Sequence, residues 1–291
     1  MNPRIAIEQA VWRAFEAREH VRSIAPLSGG CIHHASRVEL ASGRTIVAKV
    51  ASGAKQLFDE ELRGLGTILA TGAIPAPEPI GVAELDGTSV LLMSYVKPAP
   101  ATPRAWQRLG EDLAALHRAD SGKRYGFDAD NFLGSTLQPN GWMDDWVEFN
   151  RVRRLGHQVA LASSKGLLHA SEQRELEKLM ERLDEFLPRR PKPALLHGDL
   201  WSGNALPAVG ERIAVIDPAV SIGDGWADIA MMRLFGGFDQ ATFEAYGEAI
   251  DDKEKVEARI AIYQLYHVLN HVNLFGRGYA GQALGIVRGL I

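Results

Sequence analysis

The chain has 291 residues, 46% of them hydrophobic and 23% charged, with a formal net charge of −4. That is enough apolar material for one large domain or two lobes, and the mild acidity leaves no electrostatic footprint for nucleic acid. No apolar run is long enough to span a bilayer, and the single cysteine, Cys31, excludes an intramolecular disulfide framework and points to a reducing compartment.

The first stretch, MNPRIAIEQAVWRAFEAREHV, is interrupted by Arg4, Glu8, Arg13, Glu16, Arg18 and Glu19. It reads as an amphipathic helix and not as a signal peptide, so a cytoplasmic protein is expected. Leu27-Ser28-Gly29-Gly30-Cys31 is a glycine turn, and residues 32–50 hold two strand-like runs around Ala41-Ser42-Gly43-Arg44. Residues 56–70 place Leu57, Leu62, Leu65, Ile68 and Leu69 at helical spacing, with Asp59, Glu60 and Glu61 near the start. A proline-rich connector follows at 74–81, then a hairpin over 81–96 around Asp86-Gly87. The second proline-rich run, 97–103, is read as a boundary between an N-terminal lobe, 1–97, and a C-terminal lobe, 98–291.

Beyond it helices are expected over 104–119, within 141–162, over 171–187 and through most of 228–291, with no internal repeat and no low-complexity segment. The fold class is therefore α+β: a small β-rich lobe with one main helix, then a larger helical lobe. Two short β segments interrupt the helical half, LLHGDLWSGNAL at 195–206 and AVIDPA at 214–219.

Those two segments carry the chemistry. Polar residues grouped between buried runs are costly and need a function. Phosphoryl transfer from ATP needs a phosphate cradle, metal ions and a group that orients the attacking hydroxyl. Asp199, with Asn204 five residues later, has the spacing of a catalytic base and a metal ligand, and Asp217 is placed as a second metal ligand. Lys49, in IVAKV, and Glu61, in FDEELRGL, have the order of a strand lysine and its helix glutamate. Each signal alone has a plainer reading. Asp199 suits a helix cap, Lys49 a snorkelling strand lysine, and Gly29-Gly30 a hairpin turn, since the fuller G-x-G-x-x-G pattern is missing. Together, in this order on these elements, they point to a kinase.

On these residues the chain resembles the fructosamine kinase, or ketosamine-3-kinase, family, within the protein-kinase-like fold that includes aminoglycoside phosphotransferases and choline kinases. HGDLWSGN matches that family's catalytic loop, and Trp201 separates it from the looser superfamily pattern. MMRLFGGF, 231–238, and the run 125–155, with Asn131, Gly134, Gln138, Asn140, Trp142 and Trp146, carry the resemblance across most of the chain. It implies ATP-dependent phosphorylation of the sugar 3-hydroxyl of a ketosamine, free or protein-bound, whose unstable product releases the amine in a deglycation repair. By position, it implies Asp199 as base and Asn204 and Asp217 as Mg²⁺ ligands. Lys49, fixed by Glu61, would bind the α and β phosphates, with Ser28, Gly29 and Gly30 over them. Adenine would meet the backbone of Ser94, Tyr95 and Val96 with Met93 behind it, and Trp201 would pack on the substrate.

One segment departs from the family pattern. After Asp217 the chain reads DPAVSIGDGWAD, so Ser221, Ile222, Asp224, Gly225 and Trp226 stand where tyrosines, histidine, arginine and glutamate are usual. The expectation is that Asp224 and Trp226 favour a cationic or smaller adduct.

Other groups have plainer expectations. His267 and His271, four apart, are read as partly buried histidines, the rival being a zinc pair without a third ligand. His33 and His34 are read as strand surface, and His197 and Asp228 as braces for the catalytic loop. Trp12, Trp106, Trp142 and Trp146 are read as core aromatics, and Arg151, Arg153 and Arg154 as one solvated face. Cys31 is either a small loop residue or a redox switch linking two chains. The rival functions are a kinase of aminoglycosides or choline-like alcohols, and a nucleotide-binding pseudokinase. The second is opposed by retention of Lys49, Asp199, Asn204 and Asp217.

Overall fold

The computed structural model describes residues 2–27 and 34–291. The turn residues Ser28, Gly29 and Gly30, together with Cys31 and His33, lie outside the described residues. The chain divides into two compact units, one formed by 1–109 with 203–218 and the other by 110–202 with 219–291.

In the first unit, helix α1, Pro3–Ala14, starts at Asn2, whose side chain accepts from the Arg4 amide, with Pro3 pre-set at the first turn. It buries Ala6, Ile7, Ala10 and Val11, one stripe at helical spacing. It is shorter than the amphipathic pattern suggests because Glu16 and Ala17 take positive φ and end it. Strand β1, Val21–Pro26, follows where no strand is expected from sequence. Next come β2, His34–Leu40, β3, Thr45–Ser52, helix α2, Lys55–Ala70, and strands β4, Pro79–Leu85, and β5, Thr88–Ser94. The five strands form one antiparallel sheet in the order β1-β2-β3-β5-β4. The edge position of β1 explains its weak signal: it is mostly exposed and tolerates Pro26.

Helices cover both faces of this sheet. Val38, Leu40, Ile46, Ala48, Val90 and Leu92 pack with α1. Leu91 and Met93 pack with Phe58 and Leu65 of α2 on the other face. A strand buried on both sides has no polar face to alternate with, which is why SVLLM in β5 is buried throughout. In β3 the same alternation puts Val47 and Ala51 on the α2 face, and Lys49 between them.

Helix α3, Pro103–Arg118, leads into the second unit. There β6, Asn131–Leu133, and β7, Thr136–Gln138, form a hairpin. Helix α4, Trp146–Phe149, passes through a π turn, Asn150–Gly156, into α5, His157–Ser164. Helix α6, Ala170–Glu181, precedes β8, Pro193–Leu196. The chain then returns to the first unit for the hairpin of β9, Ala205–Ala208, and β10, Arg212–Val215. Strand β11, Ser221–Asp224, pairs with β8, and α7, Trp226–Phe235, α8, Gln240–Ala249, α9, Val256–Phe275, and α10, Ala280–Leu290, complete the second unit.

The first unit includes 203–218 because of the β9–β10 hairpin. It captures the second proline-rich run through the Val209 amide on the Lys97 carbonyl, 3.2 Å, and the Ala99 amide on Pro207, 3.1 Å. The Val215 amide donates to Pro75 at 2.8 Å and ties the first proline-rich run as well.

Some side chains sit where the sequence does not put them. Trp12 is 55% exposed on α1, so it is no core residue. Trp106 and Trp142 are half-buried, and Trp146 is buried, stacked 5.2 Å from Phe149. Arg154 is buried, so the three arginines do not share a solvated face. Among the described residues no helix is long and apolar enough to cross a membrane.

Candidate active site

The first unit assembles the residues expected to hold phosphates and metal. The pleat of β3 aims Lys49 at α2, and Glu61 is a buried residue of that helix facing the sheet. Lys49 Nζ donates to Glu61 Oε1 at 2.6 Å and to Asp217 Oδ1. Lys49 and Glu61 are 7% and 8% exposed, whereas the Asp217 side chain is one-third exposed, at 33%. Burial opposes the charge on Lys49, but the carboxylates of Asp217 and Glu61 outweigh it and raise its pKa above the ordinary lysine value. Burial, then repulsion from Asp217, pushes Glu61 up to about 7 against the pull of Lys49.

Register in the β9–β10 hairpin sets the metal-ligand candidates beside each other. Val215 lies opposite Ala205, so the next pair brings Asn204 to Ile216, whose amide donates to the Asn204 carbonyl at 3.0 Å. Asp217 is the following residue and takes φ 57°. A left-handed aspartate costs on the order of 1 kcal/mol and persists where its surroundings hold it, here the ladder on one side and Lys49 on the other. Together the two residues offer a part-exposed carboxylate and an amide oxygen, a donor set suited to a hard cation.

The second unit presents the loop expected to be catalytic. Strand β8 buries Leu195 and Leu196 and delivers His197, Gly198 and Asp199 at its end. Asp228, from the first turn of α7, receives the amides of His197 and Gly198, both at 2.8 Å, and His117 Nε2 at 3.0 Å. Burial alone would raise the Asp228 pKa, but the His117 contact and these amides hold it below the usual carboxylate value. His197 is fully buried, and its Nδ1 accepts from the Asp199 amide at 3.3 Å. His197 and Asp228 thus brace the loop, as expected. Gly198 is obligatory: it takes φ 83°, and a Cβ there would lie 2.1 Å from the Ala219 carbonyl oxygen. Asp199 and Trp201 are half-buried, and the Trp201 amide closes a turn onto the Asp199 carbonyl at 3.1 Å.

Asp224 and Trp226, expected to contact substrate, are both buried. Asp224 is 2% exposed, and its Oδ2 receives Arg259 at 2.7 and 2.8 Å and the Tyr263 hydroxyl at 2.5 Å. Its Oδ1 receives the Trp226 amide at 3.2 Å. Trp226 is buried, with its indole N–H on the Asp252 carbonyl at 2.8 Å and its ring against Tyr246. A carboxylate this buried, with both oxygens already engaged, offers no exposed oxygen to an incoming amine. The altered segment is a repacked interior.

The remaining expected residues are also located. Met93 is buried in the α2-side core, and the Ser94 amide and hydroxyl are both engaged by Glu78, each at 2.8 Å. The Arg37 guanidinium lies 5.5 Å from the Tyr95 ring centroid. His267 is buried and its pKa falls to about 3, while His271 directs Nδ1 to the His267 carbonyl at 2.7 Å, so the two rings do not converge on one point. Among the described residues no cluster of three or more His, Cys, Asp or Glu could hold a metal. Sequence reasoning missed His117, whose only signal is a polar residue in the last turn of an otherwise core-facing helix, and Arg259 and Tyr246, which carry no local signal.

The fructosamine kinase family model matches residues 4–291. A curated relative from Synechocystis, "Probable ketoamine kinase", is 37% identical over 278 residues, covering 95% of this chain and 92% of its own. The solved structure of a "putative fructosamine-3-kinase" from Thermobifida fusca is 31% identical, with a TM-score of 0.88 and 98% of each chain covered. An aminoglycoside phosphotransferase in ternary complex with AMP-PNP and hygromycin B, 21% identical with a TM-score of 0.66, covers 97% of this chain and 98% of its own and shares the fold alone. The architecture is the α+β, protein-kinase-like one expected from the sequence.

Proposed function

The chain belongs to the fructosamine kinase family, and from that premise we propose that it is an ATP-dependent kinase acting on the sugar 3-hydroxyl of a ketosamine. The observation that carries this reading is Lys49 held between Glu61 and Asp217. A buried cation fixed beside a part-exposed carboxylate suits the α and β phosphates of ATP, which spread charge that such a group stabilises. The AMP-PNP bound by the aminoglycoside phosphotransferase of like fold supports ATP as donor.

In this proposal Asp217 and Asn204 would hold Mg²⁺, which would supply charge neutralisation for phosphoryl transfer when bound. Lys49 orients the α and β phosphates while Glu61 keeps it in place. The expectation that Ser28, Gly29 and Gly30 cover the phosphates falls on residues outside those described. Adenine meets the backbone from Ser94 through Tyr95 to Val96; since the Ser94 amide is already bonded to Glu78, Tyr95 and Val96 supply the free edge. Asp199 orients the attacking hydroxyl and accepts its proton, which needs a carboxylate within hydrogen-bond reach of that oxygen. Trp201 packs against the sugar. The phosphorylated ketosamine is unstable and releases its amine, free or on a protein.

The test is ADP release with Mg-ATP and ribulosyl-lysine, fructosyl-lysine, choline or kanamycin, with Asp199→Ala as control. Turnover that depends on a ketosamine and disappears in the variant supports the reading. Turnover confined to choline or kanamycin, or ATP binding with no turnover at all, overturns it.

A further inference from the structure

The family-specific run over 125–155 contributes none of the residues assigned above to phosphate, metal or base. In the second unit it builds a buried polar chain. Asn131 Nδ2 donates to the Val220 carbonyl at 2.7 Å, and Gln138 Nε2 donates to the Ala219 carbonyl at 3.0 Å and to Asn131 Oδ1 at 2.8 Å. Asn140 Nδ2 donates to Asn131 Oδ1 at 2.9 Å, and Arg154 donates to Asn140 Oδ1 at 2.8 Å and to the Pro139 carbonyl at 2.7 Å. From α9 the Tyr266 hydroxyl donates to Gln138 Oε1 at 2.8 Å. All five side chains are buried.

Such a chain is expensive. Arg154 bonds only to neutral oxygens, and among the described residues no carboxylate pairs with it; the rings of Phe149 and Tyr266, 4.5 and 5.6 Å away, offset its charge. The π turn that delivers it needs Gly156, where a Cβ would lie 2.4 Å from the Arg151 carbonyl. An apolar hairpin would pack the same space at less cost. What it would not do is fix two successive carbonyls.

Those carbonyls adjoin the catalytic loop. The Ala219 amide donates to the His197 carbonyl at 2.8 Å, and the Ala219 oxygen occupies the space a Gly198 side chain would need. Packing does not hold Gly198 from every side. A cavity of about 30 Å³ adjoins it, bounded also by Gln138, Arg154, Tyr266, Asp228 and His267, whose Nδ1 has no partner. The loop is therefore held at a few points, by the Asp228 bonds and by the bond and close approach of Ala219, rather than by packing all round. We infer that Asn131, Gln138, Asn140, Arg154 and Tyr266 are positioning residues for Asp199, acting through the Ala219–Gly198 contact. The inference rests on the kinase reading only in naming Asp199 as the group positioned.

Two variants of the full chain test it. Gln138→Met keeps the volume and removes both donor and acceptor, and Tyr266→Phe removes one hydroxyl. Hydrogen exchange is followed in peptides spanning 196–200 and 218–222, beside kcat, ATP affinity and thermal stability. In Gln138→Met, exchange of the Gly198 and Ala219 amides rises selectively and kcat falls about tenfold or more, because a misplacement of the order of 1 Å is enough. ATP affinity stays within about twofold, because Lys49 and Asp217 are not part of the chain of bonds. Tyr266→Phe moves the same readouts less and carries the test alone if Gln138→Met does not fold. Unchanged exchange at these two amides with kcat near wild type overturns the inference. So does a rise in exchange spread evenly over the whole unit, which marks general loosening. If the wild type turns over no ketosamine, the kinase reading fails on its own; exchange and background ATP hydrolysis still decide this one.

Discussion

Lys49 Nζ is bonded to the carboxylate of Asp217, 168 residues further along the chain, while Glu61 holds the same ammonium from α2 at 2.6 Å. A strand lysine, a helix glutamate and a hairpin aspartate meet within one compact unit. Lys49→Met leaves Glu61 buried without its cation, a change that costs about 3–5 kcal/mol when a buried pair is broken. ATP affinity and kcat should both collapse, and calorimetric titration with AMP-PNP and Mg²⁺ should detect little binding. Retained affinity would separate Lys49 from the phosphates.

Glu61 also predicts a pH effect. Its pKa in the fold is raised from 4.5 to about 7, so between those values the folded chain binds more protons than the unfolded one. Its contribution to stability is complete below pH 4.5 and is lost as pH rises through 7, up to about 3 kcal/mol. Glu61→Gln removes this term. Urea unfolding at pH 5 and pH 8 should show a larger loss in the wild type than in the variant; equal slopes would contradict it.

Asp228 has the opposite sign. Its pKa is depressed in the fold, so its contribution is complete above the ordinary value of 3.8 and disappears as pH falls through the lower folded value. Asp228→Ala removes the partner of the two loop amides and of His117 Nε2, and should lower stability at pH 7 by a few kcal/mol. The wild type should lose that advantage over the variant progressively in acid melts as pH falls below 3.8.

Asp224→Ala should behave as an interior change. Removing the carboxylate leaves the buried Arg259 to the part-exposed Asp252, 2.9 Å away, and the Glu254 carbonyl, so stability should fall, by less than the full cost of breaking a buried pair. The relative rates on ribulosyl-lysine and fructosyl-lysine should not move. A changed ratio in folded protein would return Asp224 to the substrate.

Asp199→Asn should lower kcat by about 10²–10⁴-fold, the usual worth of a general base, and leave AMP-PNP affinity unchanged. A parallel loss of both would make Asp199 a structural residue of the loop.

Local sequence determined the elements whose signal is short-range. The alternation in β3 placed Lys49 on the α2 face, the helical spacing of 56–70 pointed Glu61 back at it, and the short runs 195–206 and 214–219 gave the spacing of Asp199, Asn204 and Asp217. Each rests on a period of two or 3.6 residues that the chain enforces within a few positions. Tertiary structure alone decided what depends on distant partners. Asp224 looked available for substrate until Arg259, 35 residues later, reached it. Arg154 looked solvated until a π turn carried it inside to Asn140. The first unit takes in 203–218 because β9–β10 returns to pair with the proline-rich run. Burial of a charge is set by which neighbour arrives to compensate it, and no stretch of sequence contains its own neighbour.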